Sequence, residues 1–248
     1  MYRSLQAIAT VLLMMVFAMG CNKPEEPDHG GDNNSQNDSV VDTVDSLVVL
    51  HPYVDLGLPS GILWATCNVG ADLPEEFGDY FSWGETAPKE VYDWASYKYG
   101  DFDIESYMLT KYCTDSCYGL NGFTDNLIYL EPDDDAATVN WGTAWRMPVR
   151  EEWEELLQYT TPIRTSLNGV GGWRFTAENG NSIFLPAAGY WWEGELNTGG
   201  IGIYGSRLVN KEFPYRTWGL HFNWDQCHIC GSSDRNRGQT VRAVYVAK

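Results

Sequence analysis

Trp145-Arg146-Met147-Pro148-Val149-Arg150-Glu151-Glu152-Trp153-Glu154-Glu155-Leu156-Leu157 is the most informative stretch of this 248-residue chain. Proline suits the first turn of a helix, where its missing N–H has no intrahelical partner to lose. From Pro148 onward Trp153, Leu156 and Leu157 fall at i, i+3 and i+4, so the spacing predicts a helix with one buried face and one acidic, solvated face. Upstream, Pro132 is followed by Asp133, Asp134 and Asp135, carboxylates that complement the dipole of a short helix running through Val139 and ending at Asn140-Trp141-Gly142.

Around these two helices the pattern is one of short strands. Ile62–Thr66, Asp79–Trp83, Ser182–Pro186 and Thr240–Val246 are apolar runs of strand length. The clearest strand is Trp218–Trp224, where Trp218, Leu220, Phe222 and Trp224 alternate with Gly219, His221 and Asn223. That alternation assigns the first set to the core and leaves His221 and Asn223 on the opposite face. All eleven Trp lie after position 63 and no fixed-period repeat is present, so residues 51 to 248 are expected to form a single α+β domain.

Composition narrows the partners. Sixteen Lys plus Arg against 34 Asp plus Glu give a formal charge of -18, which repels phosphate backbones and speaks against nucleic acid. Aromatic residues make up 14% of the chain beside 25 glycines, consistent with a compact, loop-rich fold carrying many ring contacts.

The N-terminus carries an address. Arg3 precedes the apolar run Leu5–Met19, which is too short to span a bilayer comfortably and reads as an export signal, residues 1 to 20. Ala18-Met19-Gly20-Cys21 resembles the lipobox of bacterial lipoproteins, which implies lipidation of Cys21 and stable anchoring by its acyl chains. Residues 22 to 50 hold seven carboxylates, one Lys and no aromatic residue, so residues 21 to 50 are expected to be a lipidated cysteine on a disordered acidic tether. Lys23-Pro24-Glu25-Glu26 resembles signals that send such lipoproteins to the outer face of the outer membrane. Asp38-Ser39-Val40, Asp42-Thr43-Val44 and Asp45-Ser46-Leu47 resemble O-glycosylation sites.

Several ordered blocks carry a family resemblance. They include Tyr53-Val54-Asp55-Leu56-Gly57-Leu58-Pro59-Ser60-Gly61, Trp64-Ala65-Thr66-Cys67-Asn68-Val69-Gly70, Gly78-Asp79-Tyr80-Phe81-Ser82-Trp83-Gly84-Glu85, Trp145-Arg146-Met147-Pro148 and Ile183-Phe184-Leu185-Pro186-Ala187-Ala188-Gly189-Tyr190. Together they resemble the FISUMP family of bacterial surface lipoproteins. More distantly, Trp145–Pro148 with Glu152-Trp153-Glu154 resembles the helix start of formylglycine-generating (sulfatase-modifying) enzymes. The resemblance implies a C-type-lectin-like mixed fold with a twisted antiparallel sheet, two helices and long loops. Val149 stands where the family has a threonine, so the capping hydroxyl is missing at a cost of about 1 kcal/mol.

The same resemblance places a ligand face in the C-terminal third. Trp191, Trp192, Tyr204, Arg207, His221, Asn223, Trp224, Asp225 and Arg235 combine aromatic surface with polar groups there, and are the candidate ligand-binding residues. The ligand expected is an extracellular glycan or protein. The formylglycine-generating enzymes use two late cysteines, but Cys227-His228-Ile229-Cys230 matches neither their spacing nor their flanks, so no catalytic residue is assigned. Cys113 and Cys117 with Cys227 and Cys230 are weak candidates for a zinc site, and Cys67 for a buried free thiol. Glu131-Pro132-Asp133 and Asn223-Trp224-Asp225 superficially resemble the calcium-binding elements of lectins, about 90 residues apart here. No cofactor is expected, with calcium and zinc as the alternatives. A surface-anchored recognition lipoprotein is the expected function; the alternatives are an enzyme acting on an extracellular polymer or protein, and a non-catalytic subunit of a surface or fimbrial assembly.

Overall fold

The computed structural model describes residues 51–103 and 106–246; the export signal, Cys21 and the tether lie outside the described residues. All the described residues belong to one compact unit, Leu47–Lys248. It opens with short strands β1 (Tyr53–Val54), β2 (Leu63–Ala65) and β3 (Tyr80–Phe81) and a hairpin of β4 (Gly100–Asp103) and β5 (Ser106–Leu109). Helices α1 (Ala136–Trp141) and α2 (Arg150–Tyr159) follow, with β6 (Trp145–Arg146) between them. The remainder is strand-rich: β7 (Thr160–Leu167), β8 (Val170–Ala177), β9 (Ser182–Pro186), β10 (Tyr190–Trp192), β11 (Glu195–Asn197), β12 (Gly202–Val209), β13 (Arg216–Phe222), β14 (Cys227–Asp234), β15 (Gln239–Thr240) and β16 (Val244–Tyr245).

The architecture is α+β and mostly antiparallel. A five-stranded sheet runs β14-β13-β12-β15-β3, a four-stranded one β1-β2-β16-β6 and a three-stranded one β7-β8-β9. The β12–β15 pair alone among the registered strand pairs is parallel. Among the described residues no helix is long and apolar enough to cross a membrane.

Helix α2 buries the face its spacing predicts. Trp153 and Leu156 are fully buried, with Leu157 packed partly against them, in a core shared with Trp64, Phe175, Leu185, Tyr204, Leu220 and Phe222. The N-cap Val149 offers no side-chain acceptor, yet the other half of the capping box survives: the Val149 N–H donates to Glu152 Oε2 at 2.8 Å. Glu152 also takes both arms of the Arg146 guanidinium, at 2.8 and 2.6 Å, so this one carboxylate locks the helix start to β6.

Other elements differ from the sequence reading. Pro132–Asp134 forms a 3-10 turn and the α-helix starts only at Ala136, with Asp135 as its cap accepting from the N–H groups of Ala137 and Thr138. The last expected strand is split into β15 and β16. Between them lies the buried Arg242, which donates to Asn68 Oδ1 at 2.9 Å and to the Ala65 carbonyl at 3.2 Å. Strand β13 ends at Phe222 and slips register between Thr217 and Gly219, so Trp218 is half-buried and Trp224 is exposed. Neither belongs to the core face that simple alternation assigns them.

Candidate ligand-binding cleft

The site begins at a hairpin. Asn168 and Gly169 both have positive φ, 49° and 87°, the pairing that a two-residue turn between twisted strands requires. The turn fixes the β7–β8 register, which sets Arg164 opposite Trp173 and Ser166 opposite Gly171. Cross-strand partners share a face, and here it is the face that carries Trp173, Phe175 and Leu185 toward the core. Toward the turn that face carries only the small residues Ser166 and Gly171. Gly171 is exposed, and a Cβ built on it would meet nothing within 4 Å. The apolar surface therefore continues into an open cleft of about 500 Å³.

Trp173 and Phe222 form the inner wall, and Trp224, Asn223 and Gly200 the rim. Both indoles are held by backbone acceptors: Trp173 Nε1 donates to the Asn223 carbonyl and Trp224 Nε1 to the Gly199 carbonyl, each at 3.1 Å. Asn223 Oδ1 accepts from the N–H groups of Asp225 and Gln226 at 2.9 and 3.0 Å, which closes the β13–β14 turn. This leaves the Asn223 amide donors turned to solvent with no hydrogen-bond partner among the described residues. Trp224 is 55% exposed, yet its place is fixed: Gly200, at φ 75°, admits the indole so closely that a Cβ there would fall 2.6 Å from the ring. The Arg164 guanidinium lies 4.0 Å from the centre of the Trp224 ring system.

The structure divides the candidate residues. Asn223 and Trp224 line the cleft, and Asp225 is exposed in the same turn. Tyr204 and Arg235 are corrections: both are 0% exposed. The Tyr204 hydroxyl donates to the Pro186 carbonyl at 2.8 Å, and burial pushes its pKa up to about 12. Arg235 packs over Trp83 and donates to the Tyr97 hydroxyl at 2.8 Å and to the carbonyls of Pro214 and Lys111 at 3.0 Å. Arg207 is also structural, donating to the Leu130 carbonyl and lying 3.9 Å from the buried Asp135. Trp191 is half-buried against Tyr80 and Tyr92, whereas Trp192 on the same short hairpin is exposed near Arg237. His221 is half-buried, bonds Ser233 Oγ at 3.0 Å and does not line the cleft; burial, with His228 and Arg237 nearby, pushes its pKa down to about 4.

The metal candidates are not gathered. All five described cysteines are free, and no group of three or more His, Cys, Asp or Glu is placed to hold an ion among the described residues. Cys113 is buried and donates to the Asp115 carbonyl, Cys227 packs against the core, and Cys230 contacts Ser232 Oγ. Cys67 is buried just beyond β2, its thiol donating to the Ala71 carbonyl at 3.1 Å. Of the calcium-like elements, Glu131 pairs with Lys111 at 2.5 Å, and Asn223 Oδ1 is taken by its own turn.

Sequence reasoning missed Arg164, Ser166, Gly171 and Trp173. The signal was present in Asn168-Gly169, a strong hairpin turn, followed by Gly171-Gly172 directly before Trp173. Compared with known proteins, the chain matches no family model, no curated protein and no solved structure.

Proposed function

We propose that the chain is a non-catalytic recognition protein whose cleft between the β7–β8 hairpin and the β13–β14 turn holds an extracellular glycan. One observation carries this reading: two indoles fixed by backbone hydrogen bonds flank a floor made of glycine, with amide and hydroxyl groups at the rim. A saccharide has apolar C–H faces and polar edges, and a site of this kind matches both at once. The floor is open because Gly171 carries no side chain, and the two indoles are already held by backbone acceptors, which limits the ordering cost of binding. The mostly antiparallel α+β architecture supports a C-type-lectin-like fold, in which C-terminal strands and loops present the ligand. The lipobox-like Cys21 and the acidic tether support display of the domain, lipid-anchored, at the outer membrane surface.

The test is a glycan array probed with the full-length chain, in calcium and in chelator, alongside Gly171→Leu and Trp224→Ala. Gly171 has extended-type backbone and room for a Cβ, so leucine plugs the cleft without straining the hairpin. The expected result is binding that survives chelator, because no carboxylate lines the cleft, and that both variants abolish with melting temperature preserved in Gly171→Leu. A blank array, or undiminished binding by Gly171→Leu, overturns the reading.

A further inference from the structure

The charge of the cleft is out of keeping with the chain. The protein has 34 Asp plus Glu against 16 Lys plus Arg, yet no carboxylate lines the cleft and its single charged residue is Arg164. Cations elsewhere are mostly engaged. Lys89 pairs with Glu85, Lys98 and Lys111 with Asp134, Arg146 with Glu152, Arg150 with Glu154, and Arg216 and Arg237 with Asp234. The Arg164 side chain is exposed and has neither an ion pair nor a hydrogen bond among the described residues; its guanidinium lies over the Trp224 ring.

That contact matters chemically. A guanidinium lying against an aromatic ring keeps its N–H groups free in its own plane, and the ring limits the orientations of a side chain that would otherwise sample many rotamers. Trp224 is itself tied to Gly199 and seated on Gly200, so the support is rigid. The result is a preformed donor fork at the rim of an apolar cleft, the geometry that recognises a planar carboxylate through two parallel hydrogen bonds.

We infer that the cleft selects a carboxylate-bearing saccharide, such as a uronate or sialate, with Arg164 holding the carboxylate and Trp173 and Trp224 flanking the sugar ring. This inference rests on the glycan reading above. Asn223 Nδ2 and Ser166 Oγ are placed to meet the hydroxyl edge of the ring.

The experiment sets the full-length chain, in chelator, on an array that carries uronate and sialate oligosaccharides beside their methyl esters, neutral counterparts and sulfated oligosaccharides. Esterification removes the charge and one acceptor while keeping ring shape, so the expected loss is about 10- to 100-fold, the value of a charge-assisted hydrogen bond. In Arg164→Gln the acid and its ester are expected to bind equally, at the level of the wild-type ester. Arg164 is exposed, so a melting curve matching the wild type distinguishes lost recognition from lost folding. Equal wild-type binding of acid and ester, a preference for neutral or sulfated sugars, or an undiminished acid preference in Arg164→Gln overturns the inference. Where neutral sugars bind and Gly171→Leu abolishes that binding, the glycan reading stands and only the acidic selection falls. A blank array removes both.

Discussion

Replacing Asp134 by asparagine is expected to destabilise the domain by about 2 to 4 kcal/mol at pH 7. Asp134 is buried in the 3-10 turn ahead of α1. Its Oδ1 accepts from Lys98 Nζ at 3.1 Å and from the Tyr99 hydroxyl, and its Oδ2 accepts from Lys111 Nζ and the Tyr112 hydroxyl, both at 2.7 Å. These four donors flank the β4–β5 hairpin in sequence, so one carboxylate fastens a ladder-poor part of the chain to the start of α1. Burial alone raises its pKa, but the hydrogen bonds from Lys111, Tyr99, Tyr112 and Lys98 outweigh that and hold it at about 2, against an ordinary value of 3.8. A depression of that size corresponds to about 2 kcal/mol, an upper figure because Lys98 is half-exposed and its share is screened by water. Asparagine keeps the shape but turns an N–H₂ toward donors, which adds an unmade hydrogen bond to the lost charge. For a domain of this size the melting temperature is expected to fall by about 5 to 12 °C, measured by circular dichroism. Because the folded-state pKa lies below the unfolded one, the carboxylate's contribution is complete above pH 3.8 and is lost as pH falls through about 2. The gap between wild type and variant should therefore narrow from pH 5 to pH 2. Equal melting at pH 7, or a gap that stays constant down to pH 2, refutes the reasoning.

Val149→Thr restores the missing capping oxygen at an N-cap that already has extended φ and ψ, and is expected to raise stability by about 1 kcal/mol, or the melting temperature by about 2 to 4 °C. An unchanged melting curve would show that the Glu152 half of the box suffices. Arg235→Met leaves the carbonyls of Pro214 and Lys111 without their donor and is expected to cost about 3 to 5 kcal/mol in urea titration. The protein that remains folded should bind sugar like the wild type; selective loss of binding with stability intact would return Arg235 to the ligand face.

The readable elements were those whose signal is local. Pro148 and the Trp153, Leu156, Leu157 stripe are enough for α2, and Ser182–Pro186 is an apolar run that forms β9 over the same five residues. The β7–β8 hairpin escaped because Pro162 interrupts one strand and Gly171-Gly172 the other, so neither alternates cleanly and the pairing emerges only from register. Trp224 is among the candidate ligand-binding residues, yet the strand pattern puts it on the core face. Alternation extends the core face through it, but β13 ends at Phe222 and the Asn223 turn swings it outward. Tyr204 and Arg235 carry the residue types of a binding face, and nothing nearby in sequence reveals their burial. Two of the aromatic rings that enclose Arg235, those of Trp83 and Tyr97, lie more than a hundred residues earlier.

The strong negative charge that argues against nucleic acid also bears on an acidic sugar, and the two effects can be separated kinetically. Repulsion between the chain and an anion acts over a distance set by the Debye length, about 30 Å at 0.01 M salt and 8 Å at 0.15 M, so it slows encounter most in dilute buffer. The Arg164 fork acts at contact, in a cleft that no carboxylate lines, and governs how long the ligand stays. Raising salt from 0.01 to 0.15 M should therefore speed association of a uronate oligosaccharide with the wild type. Dissociation should change less, because a stacked, partly desolvated ion pair is screened less than charges in open water. Arg164→Gln should keep the salt-accelerated association, which belongs to the whole chain, and lose the slow dissociation, which belongs to the cleft. Association that slows with salt would mean that the local field of Arg164 dominates even at long range, and that the acidic surface plays no part in screening ligands before they reach the cleft.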